Sequence, residues 1–182
     1  IIRDDDKLIG VELTDGNSQI LLANAHGRAI RFDESKLRTM GRVSTGVRGM
    51  KLDGGDDQVV GLISTQADSE DTVMVITQEG FGKRSVLDSY RTTNRGAKGV
   101  KTMNVTEKTG ELVAFKMVND NNDLVIINKS GITLRIHVAD IRVMGRVTQG
   151  VRLINLDKRN DVIASVCCVE SDPEEEVEEV IE

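Results

Sequence analysis

A seven-residue pattern, Arg-x-x-x-Gly-Val-Arg/Lys, occurs three times in this chain, at residues 42–48, 95–101 and 146–152. Its glycines, Gly46, Gly99 and Gly150, lie 53 and 51 residues apart, and an upstream glycine in each copy (Gly27, Gly80, Gly131) keeps the same offsets. A period near 50 residues narrows the possible folds more than any other feature. It implies stacked blades or solenoid turns, none of which can bury an apolar face without its neighbours.

The unit can be laid out from its apolar runs. A β-branched run precedes each upstream glycine, at 20–24, 72–78 and 124–129, and a shorter run ending in cations follows it, at 28–32, 82–86 and 133–138. Each pair reads as a β-hairpin. A polar connection then leads to the arginine–glycine motif and a third expected strand, at 47–52, 100–105 and 151–156. After an acidic or glycine-containing turn comes a fourth, at 59–64, 112–118 and 162–169, with an extra copy at 8–13. No 3.6-residue stripe is sustained and glycines interrupt the runs, so helical repeats are excluded. The expected fold is all-β: a propeller-like array of three four-stranded blades, approximately 7–58, 59–111 and 112–169, followed by an acidic tail at 170–182. The tail holds eight acids and no base and is expected to be disordered.

Composition removes several classes. Apolar residues make up 38% of the chain, enough for a core, but there is no Trp, one Tyr and three Phe. No apolar run of about 18 residues and no basic-then-apolar leader is present, so a cytoplasmic protein without membrane contact is expected. Cys167 and Cys168 are adjacent, where strand side chains point to opposite faces, and form neither a disulfide framework nor a paired metal site.

Charge is segregated. The formal net charge is −6, yet residues 1–169 carry 24 bases against 22 acids. The stretches 28–51, 81–101 and 132–152 hold 17 bases and four acids. The same portion of every repeat is therefore basic, which gives the assembly a stripe suited to a polyanion. Three sets recur in register: Arg31, Arg84 and Arg135; Arg42, Arg95 and Arg146; Arg48, Lys101 and Arg152. With Lys83, Arg91, Lys98 and Arg142 they make up the candidate DNA-binding set. Aromatic residues do not interleave with them, so stacking on single-stranded bases is disfavoured, and no reading helix is available for the major groove. Phosphate contact along a duplex remains, with selectivity from DNA deformability.

The residues that carry these features also resemble a known family. Leu8-Ile9-Gly10-Val11, Met40-Gly41-Arg42, Thr45-Gly46-Val47-Arg48-Gly49, Gly80-Phe81-Gly82-Lys83-Arg84, Lys98-Gly99-Val100, Val143-Met144-Gly145-Arg146 and Thr148-Gln149-Gly150-Val151 are similar to the β-pinwheel repeats of the C-terminal domain of bacterial DNA gyrase A proteins. They are similar, more distantly, to those of topoisomerase IV. The resemblance implies a non-catalytic module that wraps duplex DNA around a basic rim and supports ATP-dependent negative supercoiling. The implied partners are gyrase B and the rest of the gyrase A protein, at the nucleoid. It implies no cofactor for this chain, since ATP and Mg²⁺ belong to the rest of the holoenzyme. The family's box, Gln-Arg-Arg-Gly-Gly-Lys-Gly, has no intact copy. The nearest stretch, Thr93-Asn94-Arg95-Gly96-Ala97-Lys98-Gly99, keeps the second arginine, one inner glycine, the lysine and the final glycine. The expectation is that the chain corresponds to the C-terminal half of such a domain.

Other chemistries fit less well. Val100 breaks the Gly-Lys-Thr run that a phosphate loop needs. Tyr90 lacks a cleavage setting and is expected to pack or to touch a backbone phosphate. His26 and His137 have no third ligand pattern, and Asp53, Asp56 and Asp57 read as a solvated turn. A propeller for protein–protein recognition remains the alternative, without the Gly-His and Trp-Asp signatures of WD arrays. Open strand edges at the ends of the array lead to an expectation of self-association.

Overall fold

The computed structural model describes residues 2–156 and 161–171; the acidic tail, apart from Glu170 and Ser171, lies outside them. Among the described residues the chain is all-β, with eleven strands, three single 3-10 turns and no α-helix. Three hairpins repeat: β1 (Gln19–Asn24) with β2 (Arg28–Asp33), β4 (Thr72–Thr77) with β5 (Phe81–Val86), and β8 (Asn122–Asn128) with β9 (Thr133–His137). The 3-10 turns Glu34–Lys36, Leu87–Ser89 and Val138–Asp140 follow β2, β5 and β9.

The fourth expected strand forms in each repeat as β3 (Val59–Thr65), β7 (Leu112–Val118) and β11 (Ile163–Glu170), antiparallel to β1, β4 and β8. These three strands lie innermost and, together with residues 9–12, line a shared central cavity. The segment 8–13 forms no strand, and Leu8, Val11 and Leu13 are largely exposed.

The third expected strand corrects the sequence layout. It shrinks to β6 (Val100–Lys101) and β10 (Val151–Arg152), and each joins the sheet of the preceding repeat. β6 pairs with β2, placing Lys101 opposite Arg28, and β10 pairs with β5, placing Arg152 opposite Phe81. The sheets therefore run β3-β1-β2-β6, β10-β5-β4-β7 and β11-β8-β9. Among the described residues the third sheet has three strands, not four, and residues 47–52 form none. The loop before each donated strand follows the same path. Thr93 N donates to Arg31 O at 2.8 Å and Met144 N to Arg84 O at 2.8 Å.

The glycine of the motif makes this docking possible. Gly99 (φ 74°) and Gly150 (φ 75°) sit so close to the receiving strand that a Cβ would lie 2.3 Å from Ala29 O and 2.5 Å from Gly82 O. Neither the left-handed backbone nor the close approach tolerates a side chain. The core reflects the same interlocking: one apolar cluster combines Leu21 of β1, Ala29 of β2 and Ile63 of β3, strands of the first sheet, with Val73, Phe81, Leu87 and Tyr90.

Candidate nucleic-acid interface

Strand donation puts every Arg-x-x-x-Gly-Val-Arg/Lys loop of the second and third repeats on the outer edge of a sheet, farthest from the central cavity. Arg91, Lys98, Lys101, Arg142 and Arg152 are exposed there, and Arg42 and Arg48 are exposed on the first loop. Lys101 donates to Asn104 Oδ1 at 3.1 Å and Arg152 to Asn155 Oδ1 at 3.3 Å, each three residues along the same loop. These contacts are local, and both side chains are exposed. The Arg152 guanidinium also lies 5.1 Å from the Phe81 ring centre, a cation–π shelf that holds it outward. Phe81 was not legible as a supporting residue, because only the register of β10 on β5 brings it under Arg152.

The second arginine set has a different role. Arg95 Nε donates to Lys36 O at 3.1 Å and its Nη1 to Arg48 O at 3.2 Å. Arg146 repeats this one unit on, with Nε on Ser89 O at 3.0 Å and Nη1 on Lys101 O. Each half-buried arginine thus staples its loop to the 3-10 turn and the loop of the repeat before it. The carbonyls of Arg48 and Lys101 accept these bonds, while the two cationic side chains themselves are exposed.

Of the remaining predicted residues, Arg135 is exposed on β9, the outer strand of the third sheet, and the other three are not on the rim. Arg31, Lys83 and Arg84 are buried, which corrects the expectation of one exposed stripe. The Arg31 guanidinium reaches Leu87 O at 3.3 Å and Ala67 O at 3.1 Å, and burial lowers its pKa. Arg84 donates to Ile141 O and pairs with Asp120. Lys83 Nζ donates to Gly145 O at 2.6 Å and Arg146 O at 2.5 Å; burial, with the nearby Arg146 charge, brings its pKa down to about 8. All three are braces between successive repeats. Arg135 sits on β9 with its Nε 2.5 Å from Asp123 Oδ2, where His137 Nδ1 also approaches Oδ1 at 2.6 Å. Hydrogen bonds from Ser171, His137 and Arg135 hold the Asp123 carboxyl down at about 2, against the opposing effect of burial.

Tyr90 is buried, its hydroxyl 2.5 Å from Thr102 Oγ1, and burial pushes its pKa up to about 12. Asp53, Asp56, Asp57 and Glu111 gather around His26, with Nε2 3.4 Å from Asp56 and 3.8 Å from Glu111. Asp53 is engaged by Lys98 at 2.5 Å and by Arg28 at 3.3 Å, and the Lys98 hydrogen bond lowers its pKa. Asp57 closes the turn by accepting from Asn24 Nδ2 at 2.6 Å and Asp53 N at 2.9 Å. Among the described residues, no helix is long and apolar enough to cross a membrane.

Comparison with known proteins gives a consistent outcome. The model of the family "DNA gyrase C-terminal domain, beta-propeller" matches residues 18–66, 71–119 and 122–169, one match for each hairpin and its inner strand. The DNA gyrase A protein of Staphylococcus aureus (strain NCTC 8325 / PS 47) is 45% identical over 177 residues. That alignment covers 97% of this chain but 20% of the relative, so the chain spans about a fifth of that protein's length. The C-terminal domain of a DNA topoisomerase IV superposes with a TM-score of 0.86 at 27% identity, over 94% of this chain and 52% of that one. A DNA gyrase A C-terminal domain has the same fold, with a TM-score of 0.81 at 24% identity, over 91% and 55% of the two chains. Each of the three repeats is matched by the family model and nearly the whole chain aligns with a gyrase A protein, so the protein belongs to the DNA gyrase C-terminal domain, beta-propeller family.

Proposed function

We propose that this chain binds duplex DNA through its phosphates, along the outer edges of its sheets, and that within a gyrase A protein it wraps DNA to support ATP-dependent negative supercoiling. The observation that carries the reading is the donated loop. In two successive repeats it brings a Gly-Val-Arg/Lys strand to the outermost edge and staples it with Arg95 or Arg146, leaving Lys101 and Arg152 exposed. Side chains held this way meet phosphates without reading bases. The rest of the gyrase A protein, gyrase B, and their ATP and Mg²⁺ supply the chemistry, and the nucleoid is the place of action.

The test is duplex affinity against salt. Log K is expected to fall linearly with log[salt], with a slope of about −0.9 per phosphate contacted. A flat salt response, or no duplex binding at low salt, overturns the reading. Supercoiling assays on a parent gyrase A protein, with and without this segment, then separate a wrapping role from simple DNA affinity. Loss of negative supercoiling with retained relaxation supports wrapping, and unchanged supercoiling refutes it.

A further inference from the structure

At the joint between the first two repeats, one carboxylate engages two cations of the sheet edge. Asp53 Oδ1 lies 2.5 Å from Lys98 Nζ, and Asp53 Oδ2 lies 3.3 Å from Arg28 Nε. Lys98 belongs to the motif loop that delivers β6, Arg28 opens β2, and β6 places Lys101 directly opposite Arg28. Residues opposite one another in an antiparallel pair share a face, so the cations at Asp53 continue into the rim through Lys101. The Lys98 side chain is 50% exposed and that of Asp53 27%, which leaves the pair open to a competing anion. Asp53 is held by its own turn, where its backbone N donates to Asp57 Oδ2 at 2.9 Å. The second joint is built differently. The 53- and 51-residue offsets put Phe81 in the place of Arg28, Gln149 in that of Lys98 and Thr106 in that of Asp53. The acid and the two cations it engages are present together in one joint and replaced together in the other.

We infer that Asp53 stands in the place of a DNA phosphate, and that a bound duplex displaces it and is held there by Arg28 and Lys98. The inference rests on the duplex-binding reading above and adds Arg28, which lies outside the candidate set, to the contact surface. A carboxylate and a phosphodiester each present two oxygens that share one negative charge, so the same guanidinium and ammonium serve either. Asp53 is tethered beside its partners, and an isolated small anion competes poorly with a tethered one. A duplex seated on Lys101 brings further phosphates to the same edge and is tethered in its turn. An ion pair this exposed contributes little to stability, so the exchange leaves the fold undisturbed. The first joint thus engages DNA by exchange, whereas the second has no acid at the place of Asp53.

The experiment measures the affinity of the 182-residue chain for a labelled linear duplex of mixed sequence by fluorescence anisotropy. At about 0.1 M salt, Asp53→Asn should tighten binding about fivefold or more, the effect of roughly one added phosphate contact. Asn keeps the backbone donor to Asp57, so this variant retains the fold. Asp53→Glu, which keeps an anion for the two cations, should bind like the native chain. Asp56→Asn removes the same charge from the same turn, beside His26, and should tighten binding by less than about twofold. The gain must also depend on the cations: Lys98→Ala should weaken binding by less than about twofold in the native chain and by about fivefold in Asp53→Asn. The inference is overturned by no gain from Asp53→Asn, by an equal gain from Asp53→Glu or Asp56→Asn, or by a gain that survives loss of both Arg28 and Lys98. In each of these cases salt-dependent binding by the native chain leaves the duplex reading standing. A native chain that binds no duplex at low salt refutes that reading, and this inference with it.

Discussion

Residue by residue, the basic side chains divide by what they touch, not by their charge. Lys83 and Arg84 are adjacent and both buried, because β5 is covered on both faces and loop carbonyls of the next repeat are aimed at them. Sequence reasoning places consecutive cations at the surface by default, and nothing in Gly82-Lys83-Arg84 signals that carbonyls wait on the far side. Lys83 therefore carries a pH signature. Its folded pKa is about 8, below the ordinary 10.5, so between these values the unfolded chain binds more protons and stability rises with pH. Tyr90 opposes this at higher pH: with its pKa raised from 10.0 to about 12, stability falls across that interval. Thermal unfolding of the native chain should thus shift upward from pH 8 toward 10. In Lys83→Met the rise should be absent; an equal rise in both proteins would contradict the assignment. At the acid end, the lowered Asp123 pKa predicts stability lost as pH falls from 3.8 toward about 2, and Asp123→Asn should remove that segment of the profile.

Among the elements, the hairpins and inner strands were legible because β-branched apolar runs and turn glycines report local geometry. The donated strands were legible as strands but not as donations. A short Gly-Val-Lys run has the same pattern whichever sheet it joins, and the choice depends on where the loop carries it. The motif glycines give a direct check. Gly99→Ala must bring a Cβ to 2.3 Å from Ala29 O as well as strain a φ of 74°. Gly46→Ala adds only the backbone term, on the order of 1–2 kcal/mol. Urea unfolding should therefore show Gly99→Ala as the more destabilised protein, by about 1–3 kcal/mol beyond Gly46→Ala. Equal midpoints would mean that β6 is not pressed onto β2.

In the whole molecule, the proposed interface is a rim of solvent-facing cations on interlocked repeats. The periodic charge was visible in the sequence, whereas its division into braces (Arg31, Lys83, Arg84), staples (Arg95, Arg146) and rim (Arg48, Lys101, Arg152) depended on inter-repeat carbonyls. Combined replacement of Arg48, Lys101 and Arg152 with Ala should leave the fold intact and reduce the magnitude of the salt slope for duplex binding by about 2.7, at 0.9 per lost phosphate contact. Replacing Arg95 and Arg146 should weaken binding similarly across DNA sequences and also lower the unfolding midpoint, since those side chains join repeats. An unchanged midpoint would show that the staples contribute no stability.

Strand donation also bears on how such arrays change length. The second and third repeats each give one strand backward, to the first and to the second, so each joint between units is built in the same way. Duplicating or deleting a whole unit therefore creates no additional raw edge, and evolution can lengthen or shorten the track one unit at a time. A break inside a unit separates a giver from its taker, so viable changes of length are expected in steps of about one repeat period.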